Sequence, residues 1–372
     1  LDAAPYSDRS HEIKVAETLA NLGHEVHLTV ERTPLWTKES PKPAGIASVT
    51  VAEVNNPAKA AEIAAKLPDC DVGFASSVSG APILAAWKKR TRKPVVAQVL
   101  DVPLWRLQFG DKAHWKKQWE PWHSALYEMS ALIANTHQTV QDLAAAQKIY
   151  QEDRQPPPVA VVYYGIDTEA ADQATAHLRP EGGYPMAVSV SRLVPYKGVE
   201  FAIAGLAILD TEIAFYVVGD GEDLMRLIQL DRIVYGLTTF TGGVSDKVKF
   251  EVIKTGDFGV GLAYNPHIPL QFPMESVYCG KPCLVADTAV NRERFLDKGV
   301  LYVNPMNTRA IADAIARLVK GDVFTAQEMA AHREWIMENR SFKSHATGVL
   351  SVLESLTQTI TAADVGDLKE IL

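Results

Sequence analysis

Helical and strand-like apolar patterns alternate along the whole chain, and that alternation restricts the fold more than any other feature. Ile13, Val15, Ala16, Leu19 and Ala20 recur at helical spacing, Gly23 follows as a terminator, and EVHLTV at 25–30 then has the content of a buried strand. The step repeats through SVTVAEV (48–54), the alanine-rich helix PAKAAEIAAKL (57–67), DVGFAS (71–76), a helix over 82–89 and KPVVAQVLD (93–101). A strand as continuously apolar as KPVVAQVLD is covered on both faces, which points to a parallel sheet sandwiched by helices. ALIANT (131–136) and PVAVVYYG (158–165) add two strands, and the Trp- and Lys-rich stretch 108–127 is expected to cover the sheet.

At LRPEGGYP (178–185) proline and glycines interrupt the pattern, and a domain boundary is expected there. The alternation then restarts with strands MAVSVSRL (186–193), IAFYVVG (213–219), TTFTGG (238–243), DFGVGLA (257–263), PCLVAD (282–287) and VLYV (300–303). Helices are expected over 198–209, from 222, over 245–254, 272–278 and 308–319, with helical patterning from 326 to 356 closing the fold. Two α/β domains of similar size, each with one parallel sheet, place the expected binding crevice at the carboxyl ends of the strands.

A chain of 372 residues is long enough for about two domains at roughly 150 residues each. Thirty-seven Lys and Arg against 45 Asp and Glu leave a formal charge of -8, so a broad positive face for nucleic acid is not expected. Cys70, Cys279 and Cys283 contain no CxxC pair; they supply neither a disulfide framework nor a zinc knuckle and suit a reducing cytosol. No apolar stretch approaches the roughly 18 residues of a membrane span. The ten histidines show no spacing suited to a metal, and none is expected.

Arg192 and Lys197, in SVSRLVPYKG, fall between a strand end and a helix start, where two cations and free amides make a diphosphate cradle; a solvated basic loop is the alternative. Gly219 and Gly221 in VVGDGED allow a ligand close to the backbone, although a tight turn explains them equally, and this is not the GxGxxG of a nicotinamide site. The pair Gly242 and Gly243, followed by Val244, has the same ambiguity. Glu275 sits in a short apolar helix, where its carboxylate can accept two ribose hydroxyls or simply face solvent. Asp101 ends a strand and can bind a sugar or acceptor hydroxyl, or cap a helix before Val102 and Pro103.

In order, SVSRLVPYKG, VVGDGED, FTGGVSDK, PMESVYCGKPCLVAD and VNRERFLDKGVLYVNPMNTRAIADAI resemble the motifs of the retaining GT-B glycosyltransferases of family 4, group 1. HEIKVAETLANLGHEVHLTV, ALIANTHQTVQDLA and VVYYGIDTE are similar to the family's first half. The resemblance implies an α/β GT-B fold of two Rossmann-like domains facing across a crevice. It divides the chain into an acceptor-side domain (1–178), a nucleotide-sugar domain (179–330) and a helical segment (331–372) returning to the first. It further implies a nucleotide-diphosphate sugar as donor substrate, no separate cofactor, and transfer of a hexose to a hydroxyl acceptor that is a glycan, a lipid-linked sugar or a small molecule. Arg192 and Lys197 are then assigned to the diphosphate, Glu275 to the ribose, and Gly219, Gly221, Gly243 and Val244 to phosphate, sugar and base.

The chain departs from the family pattern in places. His267 stands where a glutamate would contact the donor sugar, and Leu100 or Asp101 where a strand-end histidine is usual. The first strand and diglycine loop are not evident before His11; Tyr6 to Ser10 takes the loop position, and the missing strand is expected upstream of Leu1. These substitutions leave a catalytically weak nucleotide- or glycan-binding partner protein, and a nucleotide-sugar epimerase, as alternatives. Lys88, Lys89, Arg90, Arg92 and Lys93, with Lys112, Lys116, Lys117 and the rings of Trp115, Trp119 and Trp122, form two segments that would suit peripheral contact with an anionic membrane; a solvated loop and a satellite core are the alternatives. The expected setting is cytoplasmic.

Overall fold

The computed structural model describes residues 11–31, 42–104, 107, 110–176, 183–265, 267 and 270–358. The loop 6–10 and most of the stretch 178–185 lie outside them. Residue contacts divide the chain into two units: Gly165–Ser344 forms one, and the other runs to Tyr164 and resumes at His345.

In the unit that ends at Tyr164, helix His11–Asn21 precedes strands β1 (His27–Glu31) and β2 (Ser48–Ala52), which pair in parallel with His27 opposite Ser48. Strands β3 (Gly73–Ala75), β4 (Val95–Val99), β5 (Ala131–Ala134) and β6 (Val159–Val161) form a second parallel sheet in chain order. One sheet was expected in this half; among the described residues there are two. The two differ in burial: HLTVE and SVTVA stay largely half-buried, whereas VVAQV and ALIA are buried at every position.

Helix Lys112–Leu126 is capped by Asp111, whose side chain accepts from the His114 amide at 3.1 Å. Its aromatic residues turn inward. Trp119 is buried, and Trp115 and Trp122 pack half-buried against the same core as Trp87 and Leu126. The rings build a satellite core, one of the two readings the sequence left open, and Lys112 and Lys117 keep the exposed face. On the other segment Lys88 donates to the Glu128 carbonyl at 2.8 Å, and Arg90 pairs with Asp69 at 2.9 Å.

The helical patterning over 326–356 is two helices, Ala326–Asn339 and Phe342–Thr357. Ile166 forms a parallel bridge with Ser341: its amide donates to the Arg340 carbonyl at 2.7 Å, and the Phe342 amide donates back to the Ile166 carbonyl at 3.0 Å. The Arg340 amide still closes the first helix on the Ile336 carbonyl at 2.7 Å, while the Arg340 carbonyl turns to Ile166, and the helix ends there. Beyond the break, Val349 and Leu353 pack on Val96, Ala131 and Ile133.

Among the described residues the unit Gly165–Ser344 has six parallel strands: β7 (Met186–Val190), β8 (Ala214–Val218), β9 (Thr238–Gly242), β10 (Phe258–Gly261), β11 (Cys283–Ala286) and β12 (Val300–Val303). Their spatial order is β12-β11-β10-β7-β8-β9. The chain starts at the centre, winds one way through β8 and β9, then returns to the other side of β7 for β10, which is the doubly wound order with a switch point between β7 and β10. One helical layer is held by Phe215, Phe258, Ile203 and Ile311, the other by Phe250, Val285, Phe272 and Phe295.

His123 lies in the tryptophan-rich helix, 3% exposed, stacked on Tyr150 with ring centroids 4.0 Å apart. Neither ring nitrogen has a hydrogen-bond partner among the described residues. Burial pushes its pKa from 6.5 down to about 4, against the opposing pull of Glu152. The unfolded chain thus takes up a proton that the folded chain resists, and stability should fall as pH drops from about 6.5 to about 4, by up to ~1.4 kcal/mol per unit. Denaturant titrations between pH 7 and 4 should show a shallower acid slope for His123→Phe than for the parent.

Candidate donor site at the carboxyl ends of the strands

The switch point is marked by close backbone packing. Beyond β7 the chain makes a single 3-10 turn, Pro195–Lys197, before helix Val199–Ala207. Gly198 joins them at φ +70°, and a Cβ there would overlap the Leu262 carbonyl oxygen just beyond β10. The Tyr264 amide donates to the Tyr196 carbonyl at 3.1 Å, so the segments after β7 and β10 are directly tied.

On the other side of β7 the loops after β8 and β9 are tied in as well. The amides of Ser191 and Leu193 donate to the carbonyls of Val218 (3.1 Å) and Asp220 (2.8 Å), and the Gly219 amide donates to the Gly242 carbonyl (2.9 Å). A Cβ at Gly219 would overlap the Ser191 oxygen, and one at Gly221 the Leu193 oxygen. These glycines therefore serve backbone-to-backbone packing. The contact that demands glycine at these two positions is with the β7 loop. Gly243 and Val244 follow β9 and are half-buried ahead of helix Asp246–Thr255, which Ser245 caps.

Arg192 and Lys197 stand together on the β7 loop. The exposed Arg192 donates from Nη2 to the Tyr196 hydroxyl at 2.9 Å, and the Lys197 ammonium lies 5.3 Å from the Tyr196 ring centre. Burial, followed by repulsion from Arg192, lowers the Lys197 pKa to about 8. No carboxylate pairs with either cation among the described residues. Two cations that repel each other at a strand end, one of them desolvated, form a site for an anion.

Glu275 lies in the first turn of helix Phe272–Tyr278, whose seven residues are all buried. Its Oε1 is 2.8 Å from the Lys249 ammonium, which also lies 3.0 Å from Asp246 Oδ1. Burial works against the charge on Lys249, but Glu275 and Asp246 outweigh it and hold the ammonium above the usual lysine range. Glu275 is thus neither solvent-facing nor isolated. Lys249 was not singled out in the sequence; its signal was a lysine at the fourth position of a helix, where the dipole favours acids.

His267 is half-buried beyond β10, and its amide donates to Asn265 Oδ1 at 2.9 Å. Asp101 follows β4, exposed, in the unit that ends at Tyr164, whereas the other candidates all belong to Gly165–Ser344. Among the described residues no group of three or more His, Cys, Asp or Glu side chains is arranged to hold a metal.

Residues 172–338 match the family described as glycosyl transferases group 1. No curated protein matches the chain by sequence. The fold is similar to that of HepE from Anabaena, solved with UDP-glucose, at a TM-score of 0.71 and 17% identity over 94% of this chain and 98% of that one. Sucrose-phosphate synthase from Thermosynechococcus elongatus is similar at 0.73 and 14%, over 92% of each chain. The UDP-forming trehalose-phosphate synthase from Burkholderia xenovorans, in complex with glucose-6-phosphate, is similar at 0.64 and 14%, over 80% and 77%. The architecture is the GT-B fold.

The lowered Lys197 pKa gives this site a pH signature. The ammonium that attracts an anion is full below about 8 and is lost above it. Calorimetry with UDP between pH 7 and 9 should show affinity falling as pH rises through about 8, and Lys197→Met should flatten that dependence.

Proposed function

We propose that this chain is a retaining glycosyltransferase of family 4 that moves a hexose from a nucleotide-diphosphate sugar to a hydroxyl acceptor. The observation that carries the reading is the pair Arg192 and Lys197, without carboxylate partners among the described residues, on the loop after β7 at the switch point. A nucleoside diphosphate supplies the anion these cations lack, and its ribose diol is the natural partner of Glu275. Uridine is the favoured base, because HepE was solved with UDP-glucose and the trehalose-phosphate synthase is UDP-forming.

When the bond between the sugar C1 and the phosphate oxygen breaks, charge accumulates on the departing diphosphate. Arg192 and Lys197 stabilise that charge more strongly than they stabilise the intact donor, which lowers the barrier. The acceptor oxygen then bonds to C1 on the face the diphosphate leaves, and its proton passes to a leaving phosphate oxygen. C1 keeps its configuration, and no protein nucleophile or metal is needed. Gly243 and Val244 are assigned to base and phosphate contacts, His267 to a donor-sugar hydroxyl and Asp101 to the acceptor. The acceptor is a glycan, a lipid-linked sugar or a small molecule, in the cytoplasm or at its membrane face, where Lys112 and Lys117 offer an exposed basic surface.

His267 in place of an acidic donor contact favours a second reading, a protein that binds nucleotide without turnover. Product analysis of UDP- and GDP-sugars with a panel of hydroxyl acceptors separates the two. Released UDP or GDP with the sugar's configuration retained supports transfer, donor converted without acceptor indicates epimerisation, and stoichiometric binding alone supports the second reading.

Arg192→Ala and Lys197→Ala should each weaken UDP binding about 10- to 100-fold, the loss of a charge-assisted hydrogen bond worth about 1.5–3 kcal/mol. Calorimetry on variants with unchanged circular dichroism checks this. Unaltered affinity would remove the cations from the site.

A further inference from the structure

We infer that Lys249 is a positioning residue for Glu275, and that with it the chain distinguishes ribonucleotides from 2′-deoxyribonucleotides. This rests on the reading of Glu275 as the ribose contact.

A carboxylate that serves a nucleoside diphosphate faces a physical conflict. It must accept hydroxyl hydrogen bonds while standing in the same site as two phosphate groups whose negative charge repels it. It must also remain in one orientation, because a carboxylate free to rotate loses much of the gain from a paired contact.

The structure answers both demands with one side chain. Lys249 Nζ is 2.8 Å from Glu275 Oε1, and the two side chains are only 16% and 10% exposed, so the attraction is weakly screened. Oε1 is fixed by this contact, which leaves Oε2 to meet the sugar. The ammonium also offsets the carboxylate charge, so that Glu275 acts on a ligand as an oriented acceptor rather than as a bare anion. Asp246 Oδ1, 3.0 Å from the same ammonium, holds Lys249 from the start of its own helix, and the Phe250 ring lies 4.4 Å beneath it. Lys249 is thus anchored on helix Asp246–Thr255 while acting on helix Phe272–Tyr278.

The arrangement differs from an ordinary surface pair in burial and in sharing. A half-exposed pair such as Lys59 and Glu53 is exchanged freely with water. Lys249 is committed to two carboxylates, so its removal leaves Glu275 buried, charged and without its cation. Such a carboxylate turns toward water, which removes the acceptor that a ribose 2′-hydroxyl would meet.

The test compares UDP with 2′-deoxy-UDP by calorimetry on the full chain, in the parent and in Lys249→Met, Lys249→Gln, Lys249→Arg and Glu275→Gln. The parent should bind UDP about ten-fold or more tightly than its deoxy analogue. Lys249→Met or Lys249→Gln should weaken UDP more than 2′-deoxy-UDP and bring the two affinities within about two-fold of each other, and Lys249→Arg should restore most of the preference. Having two neutral variants keeps the test available if one fails to fold. A preference lost in Glu275→Gln but kept in both neutral Lys249 variants overturns the role of Lys249 alone. Equal weakening of both nucleotides assigns Lys249 to helix packing and likewise overturns it. A parent without preference, or a Glu275→Gln variant that keeps it, overturns the ribose reading and this inference together.

Discussion

The parallel pairing of β7 between β8 and β10 is the constraint on which the candidate site depends. Because β7 is both the first strand of its unit and the central one, the loop after it meets the loop after β8 on one side and the segment after β10 on the other. Glycine is needed at three of these meetings, Gly198, Gly219 and Gly221, since a side chain at any of them would overlap a carbonyl oxygen of a neighbouring loop. Arg192 and Lys197 inherit their positions from this packing.

Two lysines in one unit show how environment separates charge chemistry that composition treats as equal. Lys197 is desolvated beside another cation and loses affinity for its proton. Lys249 is desolvated as well, but two carboxylates more than compensate. The first is electrostatically incomplete and suited to an incoming anion; the second is complete and suited to holding a neighbour still. A ligand carrying both a diphosphate and a diol would engage the first directly and the second only through Glu275.

Much of this architecture was legible in the chain because burial and periodicity agree. Continuously apolar runs such as VVAQV and CLVA became fully buried parallel strands, and helix Phe272–Tyr278 has the bounds its pattern suggested. Arg192 and Lys197 were legible because strand, loop and helix signals bracket them closely. The rest needed contacts distant in sequence. Nothing local to DKVKFEVIK discloses that Lys249 meets a residue 26 positions later. Nothing local to residues 326–356 reveals that Ile166 will break the helix at Ser341. The tryptophans of helix Lys112–Leu126 left two readings open for a related reason: an aromatic ring beside lysines can face a core as readily as a surface, and only packing decides.

The inward packing of that helix also divides the chain spectroscopically. Trp36, Trp87, Trp105, Trp115, Trp119 and Trp122 all precede Tyr164, and only Trp335 falls within Gly165–Ser344. Trp335 is flanked by two cations, with Lys298 5.9 Å and Arg340 4.8 Å from its ring. Intrinsic fluorescence is therefore expected to come mainly from the unit that does not contain Arg192, Lys197 and Glu275. Replacing Trp335 alone would make the emission a reporter of one unit, with the other optically silent.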